Sequence, residues 1–374
     1  MSWKRIIGIV IAIGVLSVVF EACKPCPPEP DPPNPPGSVV DDFSNTSPYL
    51  SLPPTFPPMD IPDDNPLTEQ GVELGRYLFY DKLLSGDNTL ACAGCHLPEA
   101  AFSDPNQFSE GIHGDFSGRQ SMAIINLGWS ADFFWDGRTA GIEDQVHQPI
   151  SDAIEMDQDW DELLVEIADT DLYPPLYTSA FGSSVVTKNR TAKALASFVR
   201  AIVSYESNYD KAPIDYTFTD LEQYGFDLFV AEGGYDEENE IGTGGDCFHC
   251  HSIGAKLFTD HLPHNNGLDS IFTDLGYGGV SGDPLEMGMF KTPTLRNITM
   301  TGPYMHDGRF TTLEEVIDHY DSGGRPSATI DPFMKYTEGG LHLTQYQKDA
   351  LIAFLHTLTD PSFPVNPLYQ DPHE

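Results

Sequence analysis

Apolar residues return at helical spacing in five stretches of the chain. In Thr68–Tyr80, Val72, Leu74, Leu78 and Phe79 share one side, and in Thr219–Phe229, Leu221, Tyr224 and Leu228 do the same. Thr191–Tyr205 carries Leu195, Phe198, Val199 and Ile202, and Thr344–Leu358 carries Leu351, Phe354, Leu355 and Leu358. In the shorter Thr312–Tyr320, Leu313, Val316 and Ile317 form the apolar face, with Thr312 and Glu315 placed as a capping box. β-branched alternation is scarce, so the pattern predicts a mainly α fold. An opening helix and a closing helix occur twice, which predicts two similar domains in tandem.

The N-terminus follows a different pattern. Behind Lys4 and Arg5, Ile6 to Phe20 is an uncharged apolar run, shorter than the ~20 residues of a membrane span, as in the core of a signal peptide. Ala22 before Cys23 resembles a bacterial lipoprotein cleavage site, with Cys23 as the lipidated residue; simple secretion and a retained anchor are the alternatives. From Cys23 to about Pro62 the chain is crowded with proline and reads as an extended tether. The expected boundaries are a signal segment over 1–22, a tether over 23–64, domains over 65–212 and 213–362, and a tail over 363–374.

Charge narrows the range of partners. With 57 acidic against 19 basic residues the formal charge is −38, which excludes an electrostatic grip on nucleic acid or anionic lipid. Contact with a membrane is then expected only through the lipid anchor of an exported, periplasmic-side protein. A basic partner, by contrast, would be steered in quickly, and less so as salt rises.

Cysteine placement supplies the chemistry. Of six cysteines, Cys23 and Cys26 lie in the signal and tether region, and the other four form Cys92-Ala-Gly-Cys95-His96 and Cys247-Phe-His-Cys250-His251. Cys-x-x-Cys-His is the attachment sequence for c-type haem: two thiols one turn apart add to the haem vinyl groups, and the adjacent histidine becomes the proximal iron ligand. A disulfide framework or a four-thiolate zinc site would leave both histidines unexplained. The expected cofactors are therefore two covalently bound haems c, on His96 and His251, one in each domain.

Three further stretches carry a resemblance. Phe134-Trp135-Asp136-Gly137-Arg138, Gln145 to Met156, and Phe290 to Asn297 running on to Pro303-Tyr-Met-His306-Asp-Gly308 stand in this order around the two motifs. Over roughly residues 65–360 the chain resembles the bacterial di-haem cytochrome c peroxidases and the related enzyme MauG. The resemblance implies a peroxide-reacting haem on His96 and an electron-transfer haem on His251. Glu155 matches the distal carboxylate, Gln145 the distal amide that positions peroxide, and Trp135 the indole between the haems. Arg296 and His306 are expected to hold haem propionates or the interdomain contact. The implied partners are hydrogen peroxide and a small exported electron donor of cytochrome c type; a homodimer is compatible with the pattern. A MauG-like branch would oxidise a protein side chain instead, and a non-enzymatic electron carrier would need neither Glu155 nor Gln145.

The distal iron ligands are less uniform. The resemblance places the second haem's ligand on the helix after Pro303–Gly308, at Tyr320, flanked by His319. At ~100° per residue Tyr320 falls in the middle of the apolar face and His319 about 90° or more off it, so Tyr320 is expected to point inward. An anionic oxygen donor stabilises ferric iron where methionine would raise the potential. At the first haem, His113 is either a gated ligand or a polar residue of a Gly-rich loop. The family's calcium site, an Asn side chain with two carbonyls, maps to Gln120, Thr301 and Pro303, with Gln in place of Asn.

Overall fold

The computed structural model describes residues 40–49 and 51–373. The signal segment, Cys23 and Cys26 lie outside them. Eleven α-helices follow one another: α1 Glu69–Tyr80, α2 Ile142–Gln145, α3 His147–Ser151, α4 Trp160–Ala168, α5 Tyr173–Phe181, α6 Lys188–Ala201, α7 Asn208–Lys211, α8 Asp220–Phe229, α9 Tyr277–Ser281, α10 Leu313–Asp321 and α11 Gln345–His356. Strands are confined to three two-residue antiparallel ribbons: β1 Asp132–Phe133 with β2 Thr139–Ala140, β3 Tyr235–Asp236 with β4 Ile241–Gly242, and β5 Pro263–His264 with β6 Phe290–Lys291. The expected mainly helical class holds. Each long amphipathic helix begins at a threonine whose hydroxyl accepts a backbone N–H, namely Thr68, Thr187, Thr219, Thr312 and Thr344.

Two apolar cores result. The first gathers Leu74, Leu78, Phe79, Phe102, Tyr177, Leu195 and Phe198 around α1, α5 and α6. The second gathers Leu228, Phe229, Phe258, Leu351, Phe354 and Leu358 around α8 and α11. At the centre of each, two helices touch backbone to backbone. A Cβ on Gly75 of α1 would lie 1.9 Å from the Ala194 carbonyl oxygen and 2.9 Å from Phe198 Cβ. A Cβ on Gly225 of α8 would lie 1.9 Å from the Ala350 carbonyl oxygen and 2.9 Å from Phe354 Cβ. The opening and closing helices of both halves thus cross at the same glycine–alanine–phenylalanine contact.

Two segments differ from the expected outline. From Asp41 onward the stretch read as tether is packed on the body: the Asp41 carboxylate lies 2.7 Å from Arg190 and 3.0 Å from Lys193, both buried. Phe56 is 8% exposed beneath the Arg296 guanidinium, 4.8 Å from its ring. The tail crosses to the first core, where Phe363 and Tyr369 are each 2% exposed and the Tyr369 hydroxyl donates to the Val203 carbonyl. Single anchoring side chains on extended backbone leave no periodic signal, which is why the sequence pattern passes over both.

Replacing Gly75 or Gly225 by alanine tests the crossings. The gain in helix propensity is about 1 kcal/mol, but the methyl meets a backbone carbonyl that cannot rotate away. Each variant is expected to be less stable by about 1–3 kcal/mol in urea unfolding of the haem-loaded protein; a stabilised variant would mean that the helices part freely.

Candidate functional site

The two Cys-x-x-Cys-His motifs fold alike. Cys92–Gly94 and Cys247–His249 are single 3-10 turns, after which the His96 and His251 amides donate to the Cys92 and Cys247 carbonyls at 3.0 and 2.9 Å. His96 Nδ1 donates to the Phe102 carbonyl and His251 Nδ1 to the Phe258 carbonyl, both at 3.0 Å. Phe102 and Phe258 have φ of 58° and 54°, a left-handed conformation that costs a bulky residue free energy and turns the carbonyl onto the ring. The same two carbonyls also accept from the Ile124 and Leu295 amides. Tying Nδ1 to a carbonyl fixes the tautomer and leaves Nε2 to bind a metal. Burial lowers the pKa of both histidines, that of His251 to about 4, so each ring stays in the neutral, ligating form. None of the four motif cysteines is tied up in a disulfide.

A cavity of about 250 Å³ opens beside the second motif. Cys247, Cys250, His251 and Tyr320 line it with an apolar wall that includes Leu313, Ile317, Leu351 and Leu355. Two cysteines in no disulfide, a neutral imidazole pre-set at Nδ1 and an apolar enclosure fit a covalently attached haem. Tyr320 faces this space from α10, and burial pushes its hydroxyl up to about 12. His319 turns away, donating from Nε2 to the Asn266 carbonyl at 3.0 Å. The Asn266 amide meanwhile donates to the Tyr320 oxygen at 3.2 Å and approaches the Met305 sulfur at 3.4 Å. Asn266 therefore organises this wall, although nothing in its local sequence pattern singles it out.

At the first motif the fold brings in Glu155. Burial pushes the Cys92 and Cys95 thiols up to about 12 and 11; Cys95 adds to the first, Asp104 to the second, and the Glu155 carboxylate a smaller share to both. Glu155 sits in a tight loop after α3, where its carbonyl accepts from the Ile112 amide at 3.0 Å. Gly111 packs on the same loop, where a Cβ would lie 1.7 Å from the Ile154 carbonyl oxygen. The Glu155 carboxyl is half-buried and its pKa is raised, first by burial and then by Asp152, while Arg138 opposes the rise. Arg138 belongs to the Phe134–Arg138 motif but is singled out only by this electrostatic reach. Gln145 ends α2, half-buried. His113 does not join the group. Its Nε2 donates to Asp157 at 2.8 Å with 54% of the side chain exposed, so of its two readings the structure gives the surface one.

Trp135 and Gln120 form part of the wall that the first half contributes to the cavity. The Trp135 indole, 8% exposed, donates to the Gln120 carbonyl at 2.8 Å, and the Gln120 amide donates to the His306 carbonyl at 2.9 Å. His306 is stacked on Phe290 at 3.7 Å between centroids. Thr301 and Pro303 line the same cavity as Gln120. The Gln120 Nε2 is used on Ser103 and the Asp104 carbonyl, leaving Oε1 as the oxygen it can offer a cation. Of the two roles expected of Arg296, propionate holder or interdomain contact, the structure gives the second, through Asp210 of the first half. Arg296 is 1% exposed, does not line the cavity, and gives its donors to both Asp210 oxygens at 2.7 Å and to the Lys256 carbonyl at 2.6 Å. Its work is to brace the turn that leads to Phe258.

The fold and these two sites define a mainly helical c-type protein with two haem positions. The family model for di-haem cytochrome c peroxidase matches residues 69–215. MauG, the methylamine utilization protein of Methylophilus methylotrophus, is 34% identical over 324 residues, covering 84% of this chain and 91% of the relative. A cytochrome-c peroxidase of Pseudomonas sp. (strain SCT) is 29% identical, covering 86% and 91%. The crystal structure of a MauG-like protein associated with microbial copper homeostasis superposes with a TM-score of 0.78 at 34% identity, covering 87% of this chain and 99% of that one. The chain belongs to the di-haem cytochrome c peroxidase and MauG family, whose members are haem-dependent oxidoreductases with two haems c.

Tyr320 is the ligand position most open to direct test. Tyr320→Phe removes one oxygen and leaves the apolar packing, so it is expected to change the absorption spectrum of the ferric second haem while sparing the first. An unchanged spectrum would remove Tyr320 from the coordination sphere.

Proposed function

We propose that the protein reduces hydrogen peroxide to water at the Cys92–His96 site, with electrons entering through the Cys247–His251 site from a small exported redox protein. The observation that carries this reading is Glu155, a half-buried carboxyl of raised pKa within electrostatic reach of Cys92 and Cys95. Bound haem would supply the iron that accepts peroxide and the electrons that break the O–O bond. Glu155 takes the proton from the inner peroxide oxygen and returns it to the outer one. Gln145 orients the bound molecule, and Arg138 keeps the Glu155 pKa from rising further. Trp135 stands on the cavity wall with its indole fixed by Gln120, a rigid aromatic on the route between the sites. Calcium held by Gln120, Thr301 and Pro303, and a lipid anchor at Cys23 on the periplasmic side, belong to the same reading. So does a basic donor drawn by the charge of −38.

A second reading shares the peroxide chemistry but draws the electrons from a side chain of a partner protein. It is favoured by an oxygen donor, Tyr320, on the cavity wall, and by relatives named as MauG at 34% and 35% identity. Steady peroxide turnover with reduced cytochrome c supports the first reading. Consumption of peroxide that leaves cytochrome c reduced supports the second.

Both readings require Glu155. Glu155→Gln is expected to lower kcat/KM for peroxide by about 10²–10⁴-fold with both haems attached. Because the carboxylate form takes the proton, wild-type turnover should fall as pH drops through a pKa above the ordinary glutamate range. A variant as fast as wild type, with the same pH profile, would contradict the assignment.

A further inference from the structure

His261 occupies an unusual place. Its backbone is left-handed, with φ of 61°, in a position where a bulky side chain is strained. The ring lines the cavity of the second motif, and its Nε2 is buried without a hydrogen-bond partner. A buried unpaired imidazole nitrogen costs about 1–3 kcal/mol, so strain and desolvation coincide at one residue that neither the proximal nor the distal ligand position uses.

Its neighbours suggest what it faces. His261 precedes β5, whose partner strand β6 holds Lys291; Pro263 pairs with Lys291, and the Thr292 amide donates to the Leu262 carbonyl at 2.9 Å. Lys291, 4% exposed, also lines the cavity, and its ammonium is held by Ser130 Oγ and the Asp132 carbonyl, with the Asp132 carboxylate at 3.4 Å. Its amide donates to the Trp135 carbonyl at 2.8 Å. The other lysine on the cavity wall, Lys335, sits 3.2 Å from Asp246, next to Cys247. A haem attached through its vinyl carbons to Cys247 and Cys250 carries its two propionates on the edge away from those cysteines. Lys335 is tied to Asp246 at the start of the cysteine turn, whereas His261 and Lys291 reach the cavity from the β5–β6 ribbon.

We propose that His261 donates a hydrogen bond from Nε2 to a propionate of the second haem, beside the Lys291 amine. This rests on the reading that the cavity holds the haem of Cys247 and Cys250. The charged and titratable groups facing His261 are Lys291, Asp132 and Asp260; burial, and after it Lys291, keep the ring neutral, so it serves as a donor rather than a cation. A donor on the propionate offsets negative charge at the edge of the haem and favours the reduced iron. The residue thereby sets the potential of the electron-entry site without touching the iron.

Spectroelectrochemical titration of the haem-loaded protein tests this, with the first haem as internal reference. His261→Ala is expected to lower the potential of the second haem, shifting its reduced-to-oxidised ratio about threefold at fixed applied potential, where tenfold corresponds to 59 mV. His261→Gln, whose amide can donate, should restore most of the shift. Alanine and glutamine variants that both keep the wild-type potential, or that shift it equally, would overturn the proposal. Wild-type protein with no haem on Cys247 and Cys250 would overturn the cofactor reading instead, and mass spectrometry would show that before any variant is made.

Discussion

In each half of the molecule a backbone carbonyl in the left-handed region grips Nδ1 of the histidine that follows the cysteine pair. This contact decides the tautomer, the direction of the free nitrogen and the neutrality of the ring. It is supported from behind by the helical pairs. The α1–α6 and α8–α11 crossings, closed at Gly75 and Gly225, fix the cores from which Phe102 and Phe258 project. Arg296, with Asp210 and the Lys256 carbonyl, holds the second turn in place. Free energy gained in packing is thus used to maintain two strained residues at the points where the cofactors attach.

On this shared frame the two sites differ in what faces the histidine. The first presents a carboxyl of raised pKa with Arg138 in its field, which suits proton movement. The second presents the oxygen of Tyr320, steadied by Asn266, inside an apolar cavity, which suits a closed electron-transfer centre. Trp135 belongs by sequence to the half that carries the first site and by position to the wall of the second. The division of labour proposed for the two sites rests on these unequal surroundings.

Much of this was legible in the sequence. The cysteine–histidine motifs stood out because cysteine is rare in the chain, and α10 placed Tyr320 inward because three apolar residues defined its face. What escaped was what periodicity does not encode. Gly75 and Gly225 leave no mark in the apolar pattern, and only their partner carbonyls single them out. His113 stood at a suggestive spacing from His96, yet its ring goes to Asp157 at the surface. Arg296 was expected at a haem propionate or at the interdomain contact, and its anion proved to be Asp210 of the other half. Asn266 acts through contacts with residues distant in the chain, and the extended strap from Asp41 and the tail around Tyr369 are held by isolated anchors.

Two unlike iron environments on two like scaffolds is the central claim, and low-temperature electron paramagnetic resonance of the resting, fully ferric protein tests it most directly. The account predicts two distinct signals of equal weight: a high-spin one from the Glu155 site and a low-spin one from the site facing Tyr320. Two indistinguishable signals, or a low-spin centre at both sites, would contradict it.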